Sequence, residues 1–299
     1  MNMRPLIVPG LSAALALVAT SLSPIAAQAS TPIYLAASLK GANEVPAAGM
    51  KVGDVDGNAL AVFKIHGNRV DYAVRWQKVD APSGFHIHKG KQGENGDVRV
   101  PFFGEAMPTS LHAVKGTVLV KDLNLLGRIV NNPGNWYANL HNAEFGGGAV
   151  RAQLYRIRPV ELESVLSHGF GTTLTARANG RQEVPAPDTK VGDSNGSAGW
   201  LVQPEGNRVW FAASWQQIEA PVASHIHRAA KGKNGPVVVP FFAAEKGLPP
   251  SVNGVAGSVT TSTAVAQRIW NNPKNWYVNL HTAKLPGGAI RGQLYKGDW

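Results

Sequence analysis

The histidines are the side chains of this sequence best suited to metal binding, because the neutral ring nitrogen of imidazole binds Cu, Zn, Ni or Fe. Six of the nine histidines fall into two sets of three. Each set begins with a His-Ile-His segment, and alternate side chains of a β-strand share one face, so two imidazoles lie side by side. A third histidine follows 55 residues after the first in one set and 56 residues after it in the other. The two sets are His86, His88 and His141, and His225, His227 and His281.

Three histidines from two strands predict a copper or zinc site, because a sheet can hold three ring nitrogens around one ion. Two alternatives stay open. The imidazoles can bind a non-metal ligand, or they can hydrogen-bond to backbone carbonyls or to Glu44 and Glu183 and only fix the fold. A catalytic triad is not indicated, because no serine occupies the same position beside both sets.

The strand pair that ends each copy has a constant polar face. In residues 135–141 and 149–155, and in the matching residues 275–281 and 289–295, alternate positions form an apolar set and a polar set. All five polar positions are identical between the copies, whereas three of the six apolar positions differ. Exposed polar faces usually tolerate change, so this face is either a buried hydrogen-bond network or a binding site. The predicted ligand-binding residues are Tyr137, Asn139, Arg151, Gln153, Tyr277, Asn279, Arg291 and Gln293.

These residues belong to two copies of one domain. The segment NEVP at residues 43–46 returns as QEVP 139 residues later, and most other motifs repeat at that distance. The repeat divides the chain into a first domain over residues 31–155, a linker over 156–170 and a second domain over 171–299. Asp-Gly and Asn-Gly turns and alternating polarity indicate β structure throughout. We predict an all-β protein with two tandem antiparallel sandwich or barrel domains of about seven to nine strands each.

Motifs of both copies resemble the CHRD domain, which is named for its occurrence in chordin. They are LKGANEVP at residues 39–46, the His-Ile-His segments, and Trp-Tyr-x-Asn-Leu-His followed by Gly-Gly-Ala-x-Arg-x-Gln-Leu. The resemblance implies an immunoglobulin-like β fold and an extracellular location, with no settled activity, and the second copy departs from it at residues 178–183. The segment GFHIH at residues 84–88 also resembles the copper-binding strand of Cu,Zn superoxide dismutase, although no cysteine pair, bridging histidine or histidine-rich zinc loop accompanies it.

Residues 1–29 have the composition of a secretory signal peptide. Arg4 precedes an apolar stretch, and Ala27-Gln28-Ala29 offers small residues for cleavage before Ser30. No other segment is apolar enough for a transmembrane helix in the mature chain. We therefore expect a secreted protein, periplasmic or extracellular, whose domains depend on their cores alone because the chain has no cysteine.

The net charge is +10, with basic residues dispersed along the chain. This charge makes acidic envelope or extracellular polymers candidate partners, and no nucleic-acid motif accompanies it. The favoured hypothesis is an exported, non-enzymatic binding module with one histidine-rich site per domain for copper or zinc. The alternatives are a Cu/Zn-dependent metalloenzyme of the superoxide dismutase type and a purely structural envelope or matrix domain.

Overall fold

A computed structural model describes residues 31–46 and 48–297. The predicted signal peptide at residues 1–29 lies outside the described residues and stays a prediction. In the described part of the chain each copy contains nine strands, all paired antiparallel, which confirms the predicted all-β class.

The strands of the first copy are β1 (Ile33–Lys40), β2 (Asn58–His66), β3 (Arg69–Gln77), β4 (Pro82–Lys89), β5 (Val98–Phe103), β6 (Leu111–Leu119), β7 (Trp136–Asn142), β8 (Val150–Gln153) and β9 (Tyr155–Arg156). Those of the second copy are β10 (Leu174–Asn179), β11 (Ser197–Glu205), β12 (Arg208–Gln216), β13 (Pro221–Arg228), β14 (Val237–Ala243), β15 (Val252–Thr260), β16 (Trp276–Thr282), β17 (Ile290–Gln293) and β18 (Tyr295–Lys296). The helices are α1 (Leu123–Asn131), α2 (Glu163–Leu166) and α3 (Thr263–Asn271), with short 3₁₀ turns at Gly41–Asn43, Pro133–Asn135, Gly180–Gln182 and Pro273–Asn275.

Each copy is a sandwich of two sheets that its first strand links. In the first copy, β1, β2, β3 and β6 pair in that order, and β5, β4, β7 and β8 form the second sheet. β1 also pairs with β8 and β9, so the two sheets are joined along one side. The second copy repeats this arrangement with β10–β18.

Aromatic side chains fill the core of the first copy and fix the orientation of β4. Phe63, Tyr72, Phe85 and Phe102 are each at most 3% exposed. The centroids of their contacting rings lie between 4.6 and 6.1 Å apart. Burying a side chain of this size stabilises the fold by roughly 1.5–3 kcal/mol. Because Phe85 is held inside, the residues that alternate with it on β4 project from the opposite face.

The expectation of β structure throughout was wrong at α1 and α3. Each helix begins at a polar cap whose side chain accepts a hydrogen bond from the backbone N–H three residues later, at 2.9 Å for Asp122 and 3.2 Å for Ser262. Leu125 and Ile129 then bury one face of α1 in the core. The cap followed by apolar residues at helical spacing was the sequence signal for these two elements.

One strand pair joins the two copies into a continuous sheet. β6 pairs antiparallel with β15, with Leu111 opposite Gly257 and Gly116 opposite Val252. Glycine is required at both ends of this contact, because an added Cβ would lie 1.9 Å from Ser251 O at Gly116 and 2.1 Å from Ser110 O at Gly257. The sheets of both copies therefore meet edge to edge.

The predicted linker, residues 156–170, packs against strands of both copies. Val165 in α2 contacts a cluster with Val62 and Ala73 of the first copy. Leu166 contacts Ala113 of the first copy and Ala212 of the second. Both clusters bury apolar area, and the second contains residues of both copies, so the linker contributes to holding the copies together.

Candidate metal centre

The His-Ile-His segments lie on β4 and β13, with their imidazoles away from the core. Ile87 is 1% exposed inside the sandwich, so His86 and His88 project from the other face. β-bulges interrupt the pairing of β4 with β5 just before His86 and just before His88, and the same two interruptions recur in β13. The extra residues lie on β5 and β14, so β4 and β13 keep the alternation that places both histidines on one face.

The third histidine of each set comes from the neighbouring strand, β7 or β16. Asn139 is the register partner of His86, and Gly84 is that of His141, so His141 lies one diagonal step from His86. One ring nitrogen from each of the three histidines lies within 4.8 Å of the other two, and the same holds in the second copy. The structure therefore brings the six predicted histidines together as two groups: His86, His88 and His141, and His225, His227 and His281.

Backbone carbonyls fix which nitrogen of two imidazoles faces the centre of the first group. The Nδ1–H of His88 donates to Gly96 O at 2.9 Å, and that of His141 donates to Gly146 O at 3.1 Å. The Nε2 lone pairs are therefore free, and both Nε2 atoms are buried without a hydrogen-bond partner, as is Nδ1 of His86. Carbonyl contacts of this kind set the tautomer and ring orientation of metal-ligating histidines.

The second group repeats this arrangement. The Nδ1–H of His227 donates to Gly235 O at 2.9 Å, and that of His281 donates to Pro286 O at 2.8 Å. Nδ1 of His225 lies 3.3 Å from Nε2 of His281. Two nitrogens bound to one tetrahedral ion at about 2.05 Å lie about 3.3 Å apart, so the spacing fits a shared ion. The same spacing also permits a hydrogen bond from His225 to His281.

A tyrosine separates one histidine of each group from a buried arginine. The ring of His88 stacks on Tyr137 with centroids 4.8 Å apart and planes inclined by 10°. Arg151 Cζ lies 3.5 Å from the centroid of the same tyrosine ring, which leaves no room for both groups on one face. The imidazole and the guanidinium therefore lie on opposite faces of Tyr137. In the second copy the corresponding distances are 4.7 Å and 3.4 Å.

Arginine and glutamine from β8 hold the loop that follows β4. Arg151 is 1% exposed and donates to Glu94 O at 2.8 Å and to Asn95 Oδ1 at 2.9 Å. Gln153 Nε2 donates to Gly90 O at 2.9 Å. Arg291 and Gln293 make equivalent contacts with the loop after β13. Since these loops carry the carbonyls that orient His88 and His227, the arginines and glutamines act on the groups through the loops.

Tyrosine and asparagine complete the polar face. Gly96 N donates to Tyr137 Oη at 3.2 Å, and Gly235 N donates to the Tyr277 hydroxyl at 3.4 Å. Asn279 Nδ2 donates to Glu183 Oε1 at 3.0 Å, and Asn139 contacts Glu44 in the same way at 3.5 Å. That all eight polar residues contact a bound ligand stays a prediction.

Burial controls the ionisation of the groups around each centre. Burial is the largest cause of the lowered pKa of all six histidines. Together with the charges of the neighbouring histidines, it lowers the pKa of His86 and of His225 to about 4. Burial also raises the pKa of Glu44 and Glu183 to about 7. These lowered pKa values favour the neutral imidazoles that metal binding requires at pH 7.

Two residues of the loop were not identified from the sequence. A Cβ on Gly96 would lie 1.7 Å from Lys89 O, and one on Gly235 would lie 2.1 Å from Arg228 O, so only glycine fits beside the histidine anchor. The preceding Asn95 donates from Nδ2 to Pro46 O at 3.1 Å, which ties this loop to the NEVP segment. An Asn-Gly pair at the same place in both copies was the signal that could have found them.

The comparisons with known proteins agree with the repeat. The family model of the CHRD domain matches residues 35–154 and 174–294. The chain belongs to the CHRD domain family. CHRD domains are typically extracellular, and the family suggests an extracellular binding module. The chain matches no curated protein and no solved structure. No helix of this tandem CHRD protein, within its described residues, is long and apolar enough to cross a membrane.

Proposed function

We propose that this tandem CHRD protein is an exported binding protein that holds one transition-metal ion, copper or zinc, in each domain. The ligands in the first domain are His86 Nδ1, His88 Nε2 and His141 Nε2, and their counterparts in the second domain are His225, His227 and His281. The observation that carries the proposal is the convergence, in the first domain, of three buried, unpartnered ring nitrogens, two of which belong to rings anchored through their other nitrogen. A nitrogen-only ligand set of this kind suits copper and zinc.

The contacts around each group support binding. The stacked tyrosine, the arginine and the glutamine all bond to the loop that orients one imidazole. Outer contacts of this kind set the affinity of a metal site, because they hold the ligands in place before the ion arrives. The dismutase alternative depends on the five-residue resemblance of residues 84–88 and stays a prediction.

One observation favours the structural alternative, in which the histidines only support the fold. The spacing of His225 and His281 permits a direct hydrogen bond, and each group already has two imidazoles bonded to carbonyls. Under this alternative the protein would bind no metal, and replacing the histidines would lower stability alone.

The duplicated site provides its own internal control for a metal titration. Untagged protein should bind two copper or zinc ions per chain, and alanine at His86, His88 and His141 should reduce this to one. Alanine at the three histidines of the second domain should also give one ion, and the sextuple variant none. A His66→Ala/His168→Ala variant removes two histidines outside the groups and should keep two ions. Uptake that is unchanged in the triple variants contradicts the proposal.

A further inference from the structure

We propose that each histidine group selects a monovalent metal ion, copper(I), over divalent ions such as zinc(II) and copper(II). The inference depends on the proposed function, because it names the ion that the three histidines hold. Three features of the described structure support it: the charge of the ligands, the buried cation behind them and the number of ligands.

The ligands bring no negative charge to the ion. In the described part of the chain each group consists of three histidines, and no carboxylate or cysteine joins it. A bound imidazole is neutral, so the ion keeps its full charge in a largely buried position. The cost of removing an ion from water increases steeply with its charge, so a divalent ion loses more than a monovalent one.

A buried cation adds to this preference. The guanidinium of Arg151 lies behind Tyr137, on the face opposite His88, and Arg291 has the same relation to His227. Each arginine is at most 2% exposed. Its hydrogen-bond acceptors are neutral, because they are backbone carbonyls and the side chain of Asn95 or Asn234, although the carboxyl group of Glu44 or Glu183 attracts it and offsets part of its charge. Solvent and salt screen a buried charge of this kind less than an exposed one.

The distances give the size of the effect. The stacked rings place the guanidinium about 10 Å from an ion bound by His88, and at an effective dielectric of about 20 one extra unit of ion charge is disfavoured roughly ten-fold. Both domains carry the same arrangement, so both sites should show the same preference.

The ligand number points the same way. Copper(I) is stable with three nitrogen ligands alone, whereas zinc(II) held by three histidines needs a water or another ligand in its fourth position. The described residues offer three nitrogens within 4.8 Å of one another at each group. Asn95 holds the loop after β4 in place, because its side chain accepts a hydrogen bond from Arg151 and donates one to Pro46 O.

Competition titrations test the selectivity on the full-length mature protein. Copper(I) is titrated without oxygen against a coloured chelator, silver(I) serves as a monovalent ion that does not change oxidation state, and zinc(II) and copper(II) are titrated against their own chelators. Wild-type protein should bind copper(I) and silver(I) more tightly than zinc(II) and copper(II). Tighter binding of either divalent ion than of copper(I) overturns the inference and leaves the proposed function intact, whereas no binding of any of the four ions refutes the proposed function itself.

Arginine variants test the cause. Arg151→Gln with Arg291→Gln removes both buried charges and should shift the affinity ratio about ten-fold towards zinc(II). Arg151→Lys with Arg291→Lys keeps the charges but loses the forked hydrogen bonds, and should shift the ratio less than about two-fold. A folded glutamine variant with the wild-type ratio overturns the role of the arginines. If the glutamine variant does not fold, the wild-type titration and the lysine variant still decide the selectivity.

Discussion

Replacing Gly96 with alanine should weaken the first metal site and leave the second unchanged. The added Cβ would lie 1.7 Å from Lys89 O, a backbone atom, whereas ordinary contact begins at 3.4 Å. The loop must therefore move by about 1.7 Å, the difference between these two distances. Gly96 O would then leave Nδ1 of His88, which it contacts at 2.9 Å, and Gly96 N would leave the Tyr137 hydroxyl at 3.2 Å.

The size of the loss follows from these two contacts. Removing the outer hydrogen bond of a metal-ligating histidine lowers metal affinity about 10–100-fold. This loss corresponds to about 1.4–2.7 kcal/mol of binding free energy. The free energy of unfolding of the metal-free protein should fall by about 2 kcal/mol, since each lost hydrogen bond contributes about 1 kcal/mol.

A competition titration that resolves two sites per chain measures the effect, with the second domain as the internal reference. Gly127→Ala is the matched control, because nothing lies within 4 Å of the Cβ position. It lies in α1, so alanine should stabilise the protein by about 0.5–1 kcal/mol and leave both affinities unchanged. A folded Gly96→Ala variant with two wild-type sites would refute the role of this loop in orienting His88.

Four further predictions concern the interface, the two titrating groups and the N-terminus. Gly116→Ala should open the β6–β15 pairing, because its Cβ would lie 1.9 Å from Ser251 O; hydrogen exchange in both strands should accelerate, and unchanged protection would contradict this. Burial lowers the pKa of His86 from 6.5 to about 4. As the pH falls from 6.5 towards 4, the unfolded chain is protonated at this residue before the folded one, so the metal-free protein should lose stability. The free energy of unfolding measured in urea should depend less on pH in His86→Ala than in the wild type. Burial raises the pKa of Glu44 from 4.5 to about 7, so its contribution to stability should be present below pH 4.5 and decline as the pH rises to 7. Glu44→Gln should remove this decline of the free energy of unfolding with pH. A decline that persists in the variant would assign it to other groups. The mature chain should begin near Ser30, and an intact mass that includes residues 1–29 would show that the segment is retained.

The arrangement of the histidines could be predicted because it depends on strand periodicity. Alternation places His86 and His88 on one face of β4, and the same rule separates Trp136, Ala138 and Leu140 of β7 from the polar set. The repeat then identified equivalent residues in both copies without any knowledge of their contacts. The alternation of side chains along a strand and the internal repeat were therefore sufficient to predict which three histidines form each group.

The features that depend on long-range contacts could not be predicted in the same way. Nothing local to His88 indicates that its Nδ1 meets Gly96 O, because the bulges and the intervening loop decide that distance. The edge pairing of β6 with β15 joins residues more than one hundred positions apart, and its trace in the sequence is one glycine in β6 and two in β15. The helices α1 and α3 differ from these features, because their polar caps and helically spaced apolar residues are local signals in the sequence.

Anomalous diffraction from crystals loaded with copper tests the central claim most directly, because it locates the metal and its ligands together. Data collected on both sides of the copper absorption edge should show two peaks per chain. Each peak should lie about 2.0 Å from Nδ1 of His86 or His225 and from Nε2 of the other two histidines of its group. Peaks bound by other side chains, or a histidine group with no copper beside it in fully loaded crystals, would contradict the account.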